Sequence, residues 1–292
     1  MPLIRSIVKG RWGYFFIGPA YVLFTIFTIY PLFEGIRLSF YDAGLKMRTW
    51  VGFENYARLL TDSAFRRAFL NTLHFVVIIV PVILVLSLLF AVLIFGLNYV
   101  LQSIFRAAFY LPSVASGVVL VAVWLWIYNP TYGLLNYLTG LVGLPRIAWL
   151  GDARWALPAL SVVVISWALG RPIILFIAGL NGISREVYEA AMIDGASSWQ
   201  QFIRITLPLL TPTTVFVLVT QTIGVFQTFV VVQLLTRGGP AYATQTIVYS
   251  IYVTAFQFLQ FGYAAAMGGV LLVVSGSIAL FQLRLMRADI EY

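Results

Sequence analysis

Six apolar runs alternate along the chain with polar or aromatic connectors, covering about Tyr14–Phe33, Leu73–Phe95, Ala107–Tyr128, Ala156–Leu180, Leu209–Leu235 and Tyr263–Leu285. A bilayer core takes roughly 20 apolar helical residues, and each run reaches that length. The pattern predicts an all-α, polytopic membrane protein, with residues 1–292 forming one transmembrane domain of six helices and both termini on the same side. The first run follows Arg5, Lys9 and Arg11, so a cleaved signal peptide is its rival reading. About 20 apolar residues exceed a signal core, and no A-x-A site ends them, so the run is read as a retained helix. Pro81 interrupts the second run, Pro112 sits near the start of the third, and Trp124 and Trp126 mark an aromatic belt near its end. Among the connectors, Glu34–Asn71 reads as a surface helix with a loop, Gly96–Arg106 as a short link, and Asn129–Trp155 as a second polar loop.

The connector Ser184–Pro208 has a helical period of its own. Ser184 suits an N-cap and Gly195 the C′ position of a first short helix, with Tyr188, Ala191 and Met192 on one apolar face. Ser197 and Gln200 form a capping box for a second, in which Trp199, Phe202 and Ile203 repeat the spacing and Pro208 and Pro212 close it. At about ten residues, each helix spans only about 15 Å, half of what a bilayer core demands. The segment is therefore a helix–turn–helix outside the membrane; its pattern alone also fits an amphipathic connector resting on lipid headgroups.

Composition agrees with the spans. Hydrophobic residues make up 61% of the chain and charged residues 10%, which excludes an ordinary soluble globule. The net charge of +8 is spread over the connectors without a basic run, so nucleic acid is not an expected partner. Counted by side, eight Lys and Arg fall with the termini and nine opposite, so charge alone does not orient the chain. No G-x-x-x-x-G-K-[ST] loop is present, and one histidine without cysteine offers no zinc or haem constellation. No catalytic residue, metal site or cofactor is expected. All ten acids fall in the connectors or termini by this reading, which argues against ion-coupled transport.

The polar groups within the runs are mostly amides and hydroxyls. Thr214, Gln221 and Thr228 recur every seven residues on the fifth run, with Gly224, Phe226 and Phe229 nearby. Neutral donors beside aromatic rings suit a sugar; hydrogen bonding between spans is the alternative. Arg171 is the one cation within a run and is expected either to snorkel to the surface or to join Gln221 and Thr228 at a substrate.

Glu189-Ala190-Ala191, then Gly195, then Ile205-x-Leu207-Pro208 resembles the EAA loop of bacterial ABC importer permeases, with Asp194 also matching the commoner form. The segments WVGFENYARLLTDSAFRRAFLNT and LLTRGGPAYATQTIVYSIYVTAFQFLQFGYAAA resemble the sugar-importer branch, the first permease of the maltose type in its short six-span form. Arg171-Pro172 departs from that pattern. The resemblance implies that 184–208 is a cytoplasmic coupling helix docking an ATPase through Glu189, Ala190, Ala191, Asp194 and Gly195, with Glu189 meeting a basic group. It implies a multi-pass protein of a bacterial or archaeal cytoplasmic membrane. Its expected partners are a second homologous permease, an ATPase dimer, an extracytoplasmic solute-binding protein, membrane lipid and a di- or oligosaccharide substrate. A glycerol-phosphate importer of the same build is the alternative; an ion-coupled secondary transporter or a membrane scaffold would belong to other classes.

Overall fold

A computed structural model of the protein describes residues 11–45 and 48–287. Arg5 and Lys9, used above to bound the first run, lie outside the described residues. Four helices are long and apolar enough to cross a membrane, and two further helix pairs each make a span if a bend is allowed within it. This gives six spans among the described residues, in the order the hydropathy pattern predicts.

The chain divides into two compact units, one holding the residues up to Thr61 together with Ile251–Val270, the other Asp62–Ser250 with the residues from Leu271 on. In the first unit, α1 (Arg11–Phe24) continues through a π-helical turn, Thr25–Ile29, into α2 (Tyr30–Leu38). The helix runs five residues beyond the expected end at Phe33, so Glu34 lies within it and not in a connector. Its carboxylate pairs with Arg37 at 2.7 Å and Arg48 at 3.6 Å. No residue in the apolar window of the first span is fully buried among the described residues, so most of its apolar surface stays open.

The expected loop after it contains a hairpin, β1 (Tyr41–Ala43) against β2 (Arg48–Trp50), with Tyr41 opposite Trp50. Helix α3 (Glu54–Thr61) packs beside it. Asn55 donates to the carbonyls of Ser39 and Tyr41, both at 2.9 Å, and Phe40 gathers the rings of Trp50, Phe53 and Tyr56. A side chain on Gly262 would overlap the Tyr41 carbonyl, which makes glycine obligatory there.

The second unit is built around α4 (Ser63–Phe95), whose 33 residues absorb the SAFRRAFLNT piece expected as surface helix. Asp62 caps it by accepting from the amides of Ala64 and Phe65, and Pro81 does not break it. Phe75, Ile79, Ile83 and Ala91 along α4 are fully buried and form the core of the unit. The expected link Gly96–Arg106 is also largely helical: Asn98 caps α5 (Tyr99–Val114), accepting from the Leu101 amide, so Arg106 belongs to a helix. After Ala115–Ser116 the chain turns by 98° into α6 (Gly117–Ile127).

In the following loop, α7 (Leu134–Leu141) carries the buried Asn136. Its amide donates to the Pro130 and Ile147 carbonyls and its oxygen accepts from the Ile147 amide and Trp149 Nε1, all within 2.9–3.2 Å. The fourth span comprises α8 (Ala153–Ala168) and α9 (Gly170–Asn181), bent by 45°. Pro172 explains the bend: it has no N–H for the Ala168 carbonyl, and its ring crowds that oxygen.

Candidate functional site

The loop between the fourth and fifth spans begins with α10 (Arg185–Ile193), capped by Ser184, whose hydroxyl accepts from the Glu186 amide. It ends in a Schellman motif: the Ala196 amide reaches the Ala191 carbonyl at 2.9 Å, the Gly195 amide reaches Met192 at 3.1 Å, and Gly195 has φ +78°. Ser197 and Gln200 then make the expected capping box and open α11 (Ser198–Gln201). A π turn, Phe202–Thr206, leads into α12 (Leu207–Leu209) and, after Leu210, into α13 (Thr211–Phe226). Pro208 and Pro212 do not close the second helix as expected. Pro212 sits in the first turn of α13, where a missing N–H costs nothing, Pro208 directly follows the π turn, and the chain winds on into the fifth span.

Tyr188 clasps the two arms of the loop through a 2.9 Å bond to the buried Thr206 hydroxyl. The outer surface carries the exposed Glu189, Ala190, Asp194 and Gly195, with Ala191 half-buried. Glu189 has no ion pair among the described residues. Beside it Met192, Trp199 and Ile193, the last 87% exposed, present apolar surface on a segment too short to span. Exposed apolar surface of this kind marks a site that meets another protein or a membrane. At its root, Gly179 of α9 meets Leu210 and Thr213 so closely that a Cβ would lie 2.8 Å from Leu210 Cδ2 and from Thr213 Oγ1.

Both helices flanking the loop lead to one cavity of about 560 Å³, within the roughly 300–1,000 Å³ of small-molecule sites. Three interruptions of the spans line it: Ser113 before the α5–α6 turn, Trp167 and Ala168 at the α8–α9 bend, and Gln227, Thr228 and Phe229 between α13 and α14 (Val230–Leu235). Irregular backbone is tolerated at membrane depth where it is buried in protein or lines a cavity. The interruptions are held in place. Ser113 donates to the Trp167 carbonyl at 2.8 Å, and Gly170 is pressed against the backbone of Phe109 and Tyr110. The Thr228 carbonyl accepts from the Thr246 hydroxyl at 3.0 Å, on a loop that Asn71 of α4 fixes through the carbonyls of Tyr242 and Gln245. Arg171, Thr220, Gln221 and Gly224 complete the polar and open part of the lining. Arg171 is its one charged side chain among the described residues.

The model of the binding-protein-dependent transport system inner membrane component matches residues 56–290, most of the chain. The chain belongs to that family. The permease is 38% identical, over 94% of its length and 91% of the relative's, to the probable ABC transporter permease protein YesP of Bacillus subtilis (strain 168). It is 34% identical to the lactose transport system permease protein LacF of Rhizobium radiobacter, covering 95% and 96% of the two chains. A chain of the bacterial alginate ABC transporter, solved in complex with an alginate pentasaccharide-bound periplasmic protein, superposes with a TM-score of 0.86 at 26% identity over 99% and 98%. The permease is thus a multi-pass inner-membrane transport component.

Of the residues singled out from the sequence, Arg171, Gln221, Gly224 and Thr228 meet at the cavity of the permease. Phe226 does not; it is 1% exposed and packed into the core, and Phe229 supplies the ring instead. The seven-residue stripe is not one helix face. Thr214 bonds back to the Leu210 carbonyl within its own helix, and Thr228 lies beyond the end of α13, where the periodicity no longer applies. Ser113, Trp167, Thr220 and Gln227 are cavity residues the pattern missed. Pro172 was the available signal for Trp167, since a proline frees the carbonyl and loosens the turn preceding it.

Proposed function

We propose that the permease is a transmembrane subunit of an ATP-driven ABC importer that takes up a carbohydrate, a di- or oligosaccharide, delivered by an extracytoplasmic binding protein. The observation that carries this reading is the continuity between loop and cavity. The coupling loop 184–208 leaves α9 and enters α13, and those same helices carry Arg171, Gln221 and Gly224. Docked on an ATPase subunit through Glu189, Ala190, Ala191, Asp194 and Gly195, the loop transmits closure of the ATPase dimer into both cavity walls. The interrupted spans supply the joints at which the cavity opens to one side or the other. Residues 1–292 act as one permease domain, with the loop and both termini in the cytoplasm, where the ATPase pair lies.

Hydroxyls and amides at Thr220, Gln221, Gln227 and Thr228, set against the rings of Trp167 and Phe229, match a sugar's hydroxyls and its flat C–H faces. A second homologous permease covers the open side of the cavity and the unburied face of the first span. ATP hydrolysis belongs to the ATPase partner. The phosphate ester of glycerol is the second substrate reading, favoured by the cation at Arg171.

The test is co-purification with the ATPase, permease and binding-protein partners, followed by reconstitution and ATPase assay. A binding protein loaded with oligosaccharide should stimulate hydrolysis, and Glu189→Lys should abolish stimulation while the subunit still inserts. A complex that forms and turns over unchanged with Glu189→Lys refutes the docking role, and indifference to every oligosaccharide refutes the substrate class.

A further inference from the structure

We infer that the cavity selects a sugar bearing an anionic oxygen group, a carboxylate, a sulfonate or a phosphate ester, and that Arg171 is the residue that reads it. The inference rests on the sugar-importer reading above and specifies its substrate class. Its ground is the state of one side chain. The Arg171 guanidinium has no hydrogen bond and no ion pair among the described residues, although every other polar group of the lining is neutral. A cation set within a span is expensive and persists where a counter-ion, carbonyls or water meet it. Among the described residues of this chain no carboxylate lines the cavity, and Arg171 is exposed to it, whereas its neighbours Gly170, Pro172 and Ile173 are buried.

The backbone fixes the direction. Gly170 is clamped against Phe109 and Tyr110 and Pro172 sets the bend, so the turn between them presents Arg171 to the open space. That space also holds Gln221 and Gln227, whose amides donate to an oxyanion as readily as to a hydroxyl, and Gly224, which has no atom within 4 Å of a would-be Cβ. A planar guanidinium with five donors matches a carboxylate or phosphate in two parallel bonds. A lipid headgroup phosphate offers the same chemistry and must be separated from the sugar-borne anion.

The experiment uses the assembled transporter in phosphatidylcholine nanodiscs, titrated by calorimetry with a uronate trisaccharide and with the same trisaccharide after its carboxyls are reduced to alcohols. The uronate should bind at least about tenfold tighter than its neutral counterpart, the discrimination of one charge-assisted bond. Arg171→Gln should erase that preference, bringing the uronate down to the affinity of its neutral counterpart, and Arg171→Lys should retain part of it. Equal affinity of the two sugars for the unaltered transporter overturns the inference and leaves the sugar reading standing. Binding of neither overturns both. Displacement by phosphatidylglycerol without any uronate preference assigns Arg171 to lipid and likewise overturns the inference.

Discussion

Gly195 offers the cleanest perturbation, because its backbone and its surroundings make separate demands. Its φ of +78° lies in the left-handed region, yet a Cβ built there meets nothing within 4 Å. Any penalty of substitution in the free permease is therefore conformational and not steric. Left-handed backbone costs an ordinary L residue about 1–2 kcal/mol, less for asparagine and more for a β-branched side chain. The amide that reports it is Ala196, whose bond to the Ala191 carbonyl closes the Schellman motif. One or two kcal/mol is a factor of about 5–30 in a local opening equilibrium. Hydrogen exchange of the Ala196 amide, measured on the permease in nanodiscs, should thus quicken about 5- to 30-fold in Gly195→Ala, less in Gly195→Asn and more in Gly195→Val. Unchanged protection in Gly195→Val would refute the reasoning, since the turn could not then need a left-handed residue. Because Gly195→Asn disturbs the turn least, a loss of ATPase stimulation in that variant greater than its change in exchange reports the fit to the proposed partner.

Three further outcomes are expected. With no native cysteine to compete, an impermeant thiol reagent applied outside intact cells should label Leu45→Cys, which is exposed on the hairpin turn, and spare Ser197→Cys; the reverse pattern overturns the orientation. Gly224→Leu should assemble normally, since its Cβ meets nothing and leaving glycine inside a helix gains roughly 0.5–1 kcal/mol, yet uptake into proteoliposomes should fall because the new side chain fills the cavity. Asn136→Ala should loosen the loop between α7 and α8 by about 2–4 kcal/mol through the loss of four hydrogen bonds, seen as faster proteolysis near Pro130–Trp149, with the coupling loop unaffected.

The coupling loop was the most legible part of the sequence because its signals are local. A serine cap, a glycine at C′ and a serine–glutamine box each act within four residues, and each recurs in the structure at the expected position. The spans were legible as runs, since hydropathy integrates over about 20 residues and tolerates interruption. For the same reason their breaks were not. Val114–Gly117 and Gln227–Phe229 are too short to depress an average over about 20 residues, and only the proline at 172 left a mark at Leu169. The cavity followed from chemistry more than from period. Arg171, Gln221 and Thr228 were found because polar groups are rare in spans, whereas Phe226 failed because nearness in sequence does not say which ring faces the cavity: Phe226 ends α13 and packs into the core, and Phe229, past that end, lines the cavity. The hairpin at Tyr41–Trp50 was unreadable because three-residue strands carry too few alternations to register.

The contact of Gly179 with Leu210 and Thr213 bears on how such permeases can be recombined. It holds the departure and return of the coupling loop to each other, and under the proposed docking the loop would pivot about this point, which its own twenty-odd residues do not contain. A chimera that exchanges only 184–208 between two permeases acquires a foreign docking surface but keeps its native fulcrum. Compatibility with a new ATPase and faithful relay of its stroke are then separable properties. Under that docking, grafts that bind the new ATPase yet idle are expected to be repaired at positions 179, 210 and 213 and not within the transplanted segment.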